Sequence, residues 1–205
     1  MITAAEMLDL EAESGIPIIR LMENAGKAFA SALKEKIDVK NRKILIIAYH
    51  GNNGGDGFVA ARNLCDDAEV NVLFVGDESK LKEGALINFK KIEKNERMQF
   101  LNLEAVDFSD YDIIIDAIFG TGINREIKEN REIKEPLATL INNLSKSKSY
   151  KVSIDVPSGI NPDTGEKSNA YFEPDLIITM HDIKQGLESY KDKTVVVDIG
   201  IKKKE

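Results

Sequence analysis

Short apolar runs alternate along the chain with segments in which apolar residues recur every three or four positions. The runs are nearly continuous and rich in β-branched residues, as in strands that helices cover on both faces. Alternation of such strands with helices predicts an α/β fold built on a parallel, doubly wound sheet. The predicted strands occupy residues 43–48, 70–75, 100–101, 113–116, 150–155, 176–179 and 195–197.

Helical signals lie between these strands and at the start of the chain. Thr3 followed by Glu6 predicts a capping box, and Pro17 fits the first turn of a second helix. Further helices are expected over residues 58–64, 79–94 and 136–144. A length of 205 residues suits one α/β domain or two very small ones.

Composition narrows the range of partners. The formal net charge of −7 disfavours duplex nucleic acid and anionic membranes, because both attract basic surfaces. With Cys65 as the single cysteine and two histidines, neither a disulfide nor a zinc site rich in Cys or His is expected. The start of the chain lacks a signal-peptide pattern and the apolar runs are too short to span a bilayer, so we expect a soluble cytoplasmic protein.

The strongest chemical signal is the glycine-rich segment 51–57, which follows the first predicted strand. Glycines permit positive φ and close backbone approach, so successive N–H groups can surround one anion. The next helix would add the positive end of its dipole. The spacing fits neither the dinucleotide fingerprint nor the P-loop. The alternative is a plain strand-to-helix turn in which Asp56 is the N-cap.

Two further strand ends carry acids at what should be the same edge of the sheet, where ligands bind. Asp116 precedes a segment with two glycines, and Asp155 precedes a Pro-Ser-Gly turn that contains Ser158. Without a ligand, Asp116 would simply cap its turn, and the Pro-Ser-Gly turn would carry no chemistry. Asn53, Asp116 and Ser158 would each supply an oxygen, and oxygen ligands suit a hard cation of low charge.

Five motifs in this order resemble those of the NAD(P)H-hydrate epimerase family, also described as the YjeF N-terminal domain. They are MENAG at 22–26, GNNGGDG at 51–57, DAIFGTG at 116–122, DVPSG at 155–159 and TMHDIKQGL at 179–187. The resemblance covers nearly the whole chain and implies a single domain over residues 1–205. The family's fold is a Rossmann-like three-layer αβα sandwich with a mostly parallel sheet. We expect an epimerase domain without the dehydratase domain that many members carry.

The resemblance also implies an activity, a cofactor and a set of site residues. Family members interconvert the R and S forms of hydrated NADH and NADPH and use a bound potassium ion. Asn53, Asp116 and Ser158 correspond to the potassium ligands, and Asp155 is the expected catalytic residue, serving as acid and base in turn. The implied substrate contacts are Asn52, Asn53, Gly54, Gly55, Asp56, Gly120, Thr121, Gly122, Ile123, Asn124, Arg125, Glu126 and Asp155.

Some positions depart from the family pattern, and other functions remain open at this point. Tyr49 stands where the family usually has glycine, while Met180 and Ile183 replace a Phe and a Pro. Lys184 could contact a phosphate, but we expect a solvated lysine. The resemblance further implies a homodimer. One alternative function is an interaction module, as in an mRNA-decapping scaffold protein with the same domain, and another is a nucleotide-ligand sensor without turnover.

Overall fold

The computed structural model describes residues 1–122 and 132–202, and within them seven strands form one sheet. The strands are β1 (Lys43–Ala48), β2 (Glu69–Phe74), β3 (Gln99–Leu101), β4 (Ile113–Ala117), β5 (Tyr150–Ile154), β6 (Leu176–Met180) and β7 (Thr194–Val197). Their order is β3-β2-β1-β4-β5-β6-β7, and every neighbouring pair is parallel. The predicted parallel sheet is confirmed.

Five α-helices lie in the described residues: α1 (Ala4–Glu13), α2 (Ile18–Lys36), α3 (Asn52–Leu64), α4 (Glu83–Glu93) and α5 (Leu137–Lys146). The predicted capping box is confirmed, since the Glu6 N–H donates to the Thr3 hydroxyl and the Glu6 carboxylate accepts from the Thr3 N–H. No helix in this part of the chain is both long enough and apolar enough to cross a bilayer.

The helices form two layers, one on each face of the sheet. Ile44 and Ile46 of β1 pack with α2, α3 and α4 on one face, while Leu45 and Ile47 pack with α5 on the other. All four side chains are fully buried, which explains why the strand reads as a continuous apolar run. The three-layer αβα architecture is confirmed.

The prediction of a glycine-rich turn at 51–57 was wrong in its local structure. Helix α3 begins at Asn52, six residues earlier than expected, and Gly51 rather than Asp56 is its N-cap. None of the glycines in this segment has a positive φ. These glycines therefore serve a purpose other than left-handed backbone geometry.

Close packing of helix α3 explains the glycines. A Cβ on Gly54 would lie 1.8 Å from the carbonyl oxygen of Tyr49, and one on Gly57 would lie 2.6 Å from the Ala117 Cβ in β4. On the opposite side, a Cβ on Gly55 would lie 2.5 Å from the Met22 sulfur in α2. Because real Cβ contacts are longer than this, the helix can occupy its position only with glycine at Gly54 and Gly57, whereas a methyl group at Gly55 would require the Met22 side chain to move.

The prediction of a single helix over residues 79–94 was also wrong. A 3₁₀ turn over Glu78–Lys80 comes first, and α4 starts only at Glu83. The backbone between them is extended at Leu81 and Lys82, where ψ is 123° and 158°. Because of this break, the Leu81 side chain lies in the core, where it is 9% exposed.

Replacement of Gly54 by alanine should strongly destabilise the protein, because the new methyl group collides with backbone that cannot rotate away. Overpacking of this kind costs about 3 kcal/mol or more, which corresponds to a fall in melting temperature of about 6–12 °C for a chain of this size. Thermal unfolding measures this directly. Gly122→Ala is the matched control, since its Cβ would meet nothing within 4 Å. Equal melting temperatures for the two variants would contradict the packing argument.

Candidate active site

A cleft opens at the carboxyl edge of the sheet, between the amino-terminal helices and the segments that follow β1, β4 and β5. Its lining includes seven of the eleven predicted site residues that the structure describes, namely Asn52, Asn53, Asp56, Gly120, Thr121, Gly122 and Asp155. Helices α1 and α2 contribute Met7, Leu8, Glu11, Ile18, Leu21, Met22 and Ala25 to the opposite wall. A parallel sheet places ligand sites at this edge.

Two predicted substrate contacts do not line the cleft. Gly54 and Gly55 face Tyr49 and Met22 instead, in the packing contacts described above. The predicted contacts Ile123, Asn124, Arg125 and Glu126 lie outside the described residues.

Asn53, Asp116 and Ser158 come together around the backbone of Phe119. The Asn53 side-chain N–H₂ donates to the Phe119 carbonyl at 2.9 Å, and the Phe119 N–H donates to the Ser158 hydroxyl at 2.9 Å. That hydroxyl donates in turn to the Asp116 carboxylate at 2.6 Å. The fold therefore assembles the three predicted oxygen ligands from α3, β4 and the segment after β5.

The Asp116 carboxylate is fully buried, and hydrogen bonds alone hold it. It accepts from the N–H groups of Ser158 and Ile118 and from the hydroxyls of Ser158 and Ser153. Burial nevertheless raises the pKa of Asp116 to about 6, because these bonds offset desolvation only in part. In the described part of the chain, no basic side chain pairs with it. The predicted cap is confirmed in the bond from the Ile118 N–H.

Asp155 is held very differently, by a buried ion pair. The Lys184 ammonium donates to Asp155 Oδ1 at 2.5 Å, and the Thr179 hydroxyl and the Met180 N–H donate to the same oxygen at 3.0 and 3.3 Å. Lys184 also donates to the Thr179 hydroxyl and the Met180 carbonyl, so all three of its N–H donors have partners. Within the described residues, no donor reaches the second oxygen, Oδ2.

The expectation that Lys184 is solvated was therefore wrong, since its side chain is 0% exposed. A lysine is buried only where a charge partner and further acceptors offset its desolvation. The sequence offered one signal: Lys184 falls in the last of the five motifs, five residues after Thr179. The contribution of Thr179 itself was missed, because a threonine in an apolar strand fits ordinary strand propensity.

The residues that directly follow β5 and β6 have unusual backbone geometry. Asp155 has φ of 65° and His181 has φ of 67°, although neither is glycine. Each is the centre of a tight turn closed between its flanking residues, from Val156 N–H to Ile154 carbonyl and from Asp182 N–H to Met180 carbonyl. Such γ-turns with positive φ are rare and strained, and strain of this kind clusters at functional sites.

Asp56 adds a second carboxyl group to the cleft. It lies in the second turn of α3 and is partly buried, and no hydrogen bond from a described residue holds its carboxyl group. Desolvation raises its pKa well above the usual range, and the negative charges of Asp155 and Glu11 raise the pKa further. Lys184 opposes this shift. The cleft therefore favours a protonated Asp56.

Two of the three residues that differ from the family pattern, Tyr49 and Met180, line the cleft. Tyr49 lines the cleft and packs edge-on against Phe119, with ring centroids 5.4 Å apart. Met180 also lines it, whereas Ile183 packs elsewhere. The enclosed volume is about 140 Å³, below the roughly 300–1,000 Å³ of pockets that enclose a drug-sized ligand. One ring of a larger ligand can enter, and the rest would lie across the rim.

Fold and cleft together define an α/β protein with a ligand site at the carboxyl edge of a parallel sheet. The family model described as YjeF-related protein N-terminus matches residues 19–186. This match covers most of the chain, and the protein belongs to that family.

Curated relatives agree with this assignment. The chain is 40% identical over 179 residues to the NAD(P)H-hydrate epimerase of Nitrosopumilus maritimus. The aligned region covers 85% of this chain and 80% of that protein. It is 35% identical over 207 residues to the bifunctional NAD(P)H-hydrate repair enzyme Nnr of Methanothermobacter thermautotrophicus. That match covers 94% of this chain but only 38% of the bifunctional protein.

A solved structure supports the fold. The crystal structure of the yeast protein ynu0, YNL200c, matches with a TM-score of 0.79, covering 96% of this chain and 86% of the yeast chain at 23% sequence identity.

Removal of the buried ammonium by Lys184→Met should destabilise the protein by about 3–5 kcal/mol, because it leaves the Asp155 carboxylate without its partner. Lys27→Met is the matched control, since Lys27 is 56% exposed and pairs with Glu23 on the surface. That substitution should change stability by less than about 1 kcal/mol. Urea unfolding gives both values. The double variant Lys184→Met, Asp155→Asn should recover part of the loss, and its failure to do so would contradict the pairing.

Proposed function

We propose that this protein is an NAD(P)H-hydrate epimerase, which interconverts the R and S forms of hydrated NADH or NADPH. Support comes from relatives that carry this name at 40% and 37% identity over most of the chain. Support also comes from a cleft that contains Asp155 together with the glycine segments expected to contact the substrate. A pure interaction module would not need a strained, buried acid at the floor of a cleft.

The proposed reaction replaces one hydroxyl by another on the opposite face of the ring. The substrate carries this hydroxyl on a ring carbon next to the ring nitrogen. When the nitrogen lone pair expels the hydroxyl, which leaves as water, a planar iminium cation remains. Water then adds from the other face and loses a proton. The protein must therefore supply a proton to the departing oxygen and accept one from the incoming water.

The anchoring of Asp155 carries this proposal. Three donors converge on Oδ1 and fix the carboxylate, while Oδ2 is free to face a ligand. The side chain is 11% exposed, so it reaches the cleft from a largely dry environment. A proton-transfer group needs this combination of fixed orientation and access to the reacting atom.

We further propose that Asn53, Asp116 and Ser158 hold a potassium ion. Each of these side chains can supply an oxygen atom, the ligand type that a hard cation prefers. Asp116 is a buried carboxylate without a basic partner among the described residues, and a single charge suits a monovalent ion. When bound, the ion supplies positive charge beside the backbone of Phe119, which orders the segment that borders the substrate.

Substitution Asp155→Asn should remove most of the epimerisation activity, because the amide cannot exchange a proton. The amide oxygen can still accept from the Lys184 ammonium, so the fold should be retained, although at a lower melting temperature because the buried ammonium loses its charge partner. The expected loss in kcat is about 10²–10⁴-fold, measured with purified R hydrate by chromatographic separation of the epimers. Asp66→Asn is the control, since Asp66 is 71% exposed and lies outside the cleft. Turnover by Asp155→Asn at the wild-type rate would contradict the assignment of Asp155 as the catalytic residue.

Potassium should raise the melting temperature relative to choline chloride at equal ionic strength. A ligand at 100 times its dissociation constant adds about 2.7 kcal/mol to stability. Asp116→Asn should abolish the difference between the two salts, whereas Asp155→Asn should keep it. If wild-type protein melts at the same temperature in both salts, the proposed ion site is refuted.

A further inference from the structure

Three carboxyl groups line the cleft, those of Glu11, Asp56 and Asp155, and the surroundings of the two aspartates differ in character. Asp155 is fixed in orientation by an ammonium, a hydroxyl and an N–H group, all of which donate to its Oδ1 atom. Asp56 has no such donor in the described part of the chain and faces two other acids, Asp155 and Glu11. Two acids in one site with contrasting surroundings are the arrangement from which acid and base roles arise.

The two groups also reach the cleft from different elements. Asp56 projects from helix α3 in the helical layer, whereas Asp155 projects from the end of β5 in the sheet. Their charges interact, so both lie close to the same enclosed volume of about 140 Å³. Both carboxyl groups therefore line the space that a planar ring would enter.

We propose that Asp56 is a second catalytic residue, which acts on one face of the substrate ring while Asp155 acts on the other. This inference rests on the epimerase activity proposed above. It assigns each epimer to one carboxyl group: one epimer presents its hydroxyl to Asp56, and the other presents its hydroxyl to Asp155. Burial and the nearby negative charges raise the pKa of Asp56, which supports a resting state in which Asp56 holds a proton.

The steps balance with these two groups and water alone. Asp56 gives its proton to the hydroxyl, the carbon–oxygen bond breaks with its electron pair on oxygen, and water departs. The nitrogen lone pair forms the carbon–nitrogen double bond of the cation. A second water attacks the carbon from the other face, loses its proton to Asp155, and the π electrons return to nitrogen.

The proton has then moved from Asp56 to Asp155, and one water has replaced another. The opposite conversion uses the same groups with their roles exchanged, and solvent returns the enzyme to its resting state. With one carboxyl group removed, the remaining group, after it takes up a proton from solvent, can donate that proton to a hydroxyl on its own face, and the resulting carboxylate can accept a proton from the water that returns there. Such a variant would exchange the hydroxyl oxygen of one epimer without inverting it.

Oxygen exchange in ¹⁸O-labelled water tests this inference. Each purified epimer is incubated with wild type, Asp56→Asn, Asp155→Asn and the control Asp66→Asn, and both epimerisation and ¹⁸O content are followed by chromatography with mass spectrometry. Asp56→Asn should epimerise at least about 100-fold more slowly than wild type. Each of the two cleft variants should label only one epimer above the rate in buffer, and the two variants should label opposite epimers.

Three results would overturn the inference. They are an Asp56→Asn variant that epimerises within threefold of wild type, labelling of the same epimer by both cleft variants, and no labelling above buffer by a folded Asp56→Asn. Thermal unfolding verifies the fold of each variant. Failure of the epimerase proposal is distinct, because wild type and Asp66→Asn would then epimerise neither hydrate.

Discussion

The site depends on how closely helix α3 approaches the sheet. Gly54 and Gly57 let the helix lie directly against the end of β1 and against β4, and Gly55 lets α2 close over it from the other side. This contact sets the position of Asn53 beside Phe119 and of Asp56 in the cleft. A methyl group at Gly54 or Gly57 would push the helix away from the sheet. The packing of this helix and the positions of the site residues therefore depend on the same two glycines.

Three aspartates at this edge behave differently because their neighbours differ. Asp116 is buried among hydrogen-bond donors without a basic partner in the described residues, Asp155 is paired with a buried ammonium, and Asp56 faces other acids. These surroundings are consistent with the cation site proposed at Asp116, fix the orientation of the Asp155 carboxyl group and favour the protonated form of Asp56. Residue type alone says nothing of this division, which arises from the tertiary contacts of each carboxyl group.

The local sequence pattern predicted most of the strands, but it did not predict the detailed contacts of the site. Continuous apolar runs predicted the parallel strands because both sheet faces are covered. The sequence did not predict the start of α3, because a run of glycines usually marks a turn. The close contact of Gly54 with the Tyr49 carbonyl shows why this helix needs glycine at that position. The buried state of Lys184 depends on partners at the ends of β5 and β6 that no local rule connects. Positive φ at Asp155 is likewise a product of tertiary structure.

The arrangement proposed for this cleft places a nicotinamide ring between Asp56 and Asp155, with a cation nearby. A crystal structure with hydrated NADPH, in which thallium replaces potassium, would reveal both positions at once. We expect the ring carbon that bears the hydroxyl to lie between the two carboxyl groups, and an anomalous peak to lie among Asn53, Asp116 and Ser158. A nicotinamide bound away from Asp155, or thallium absent from those three residues, would contradict this arrangement.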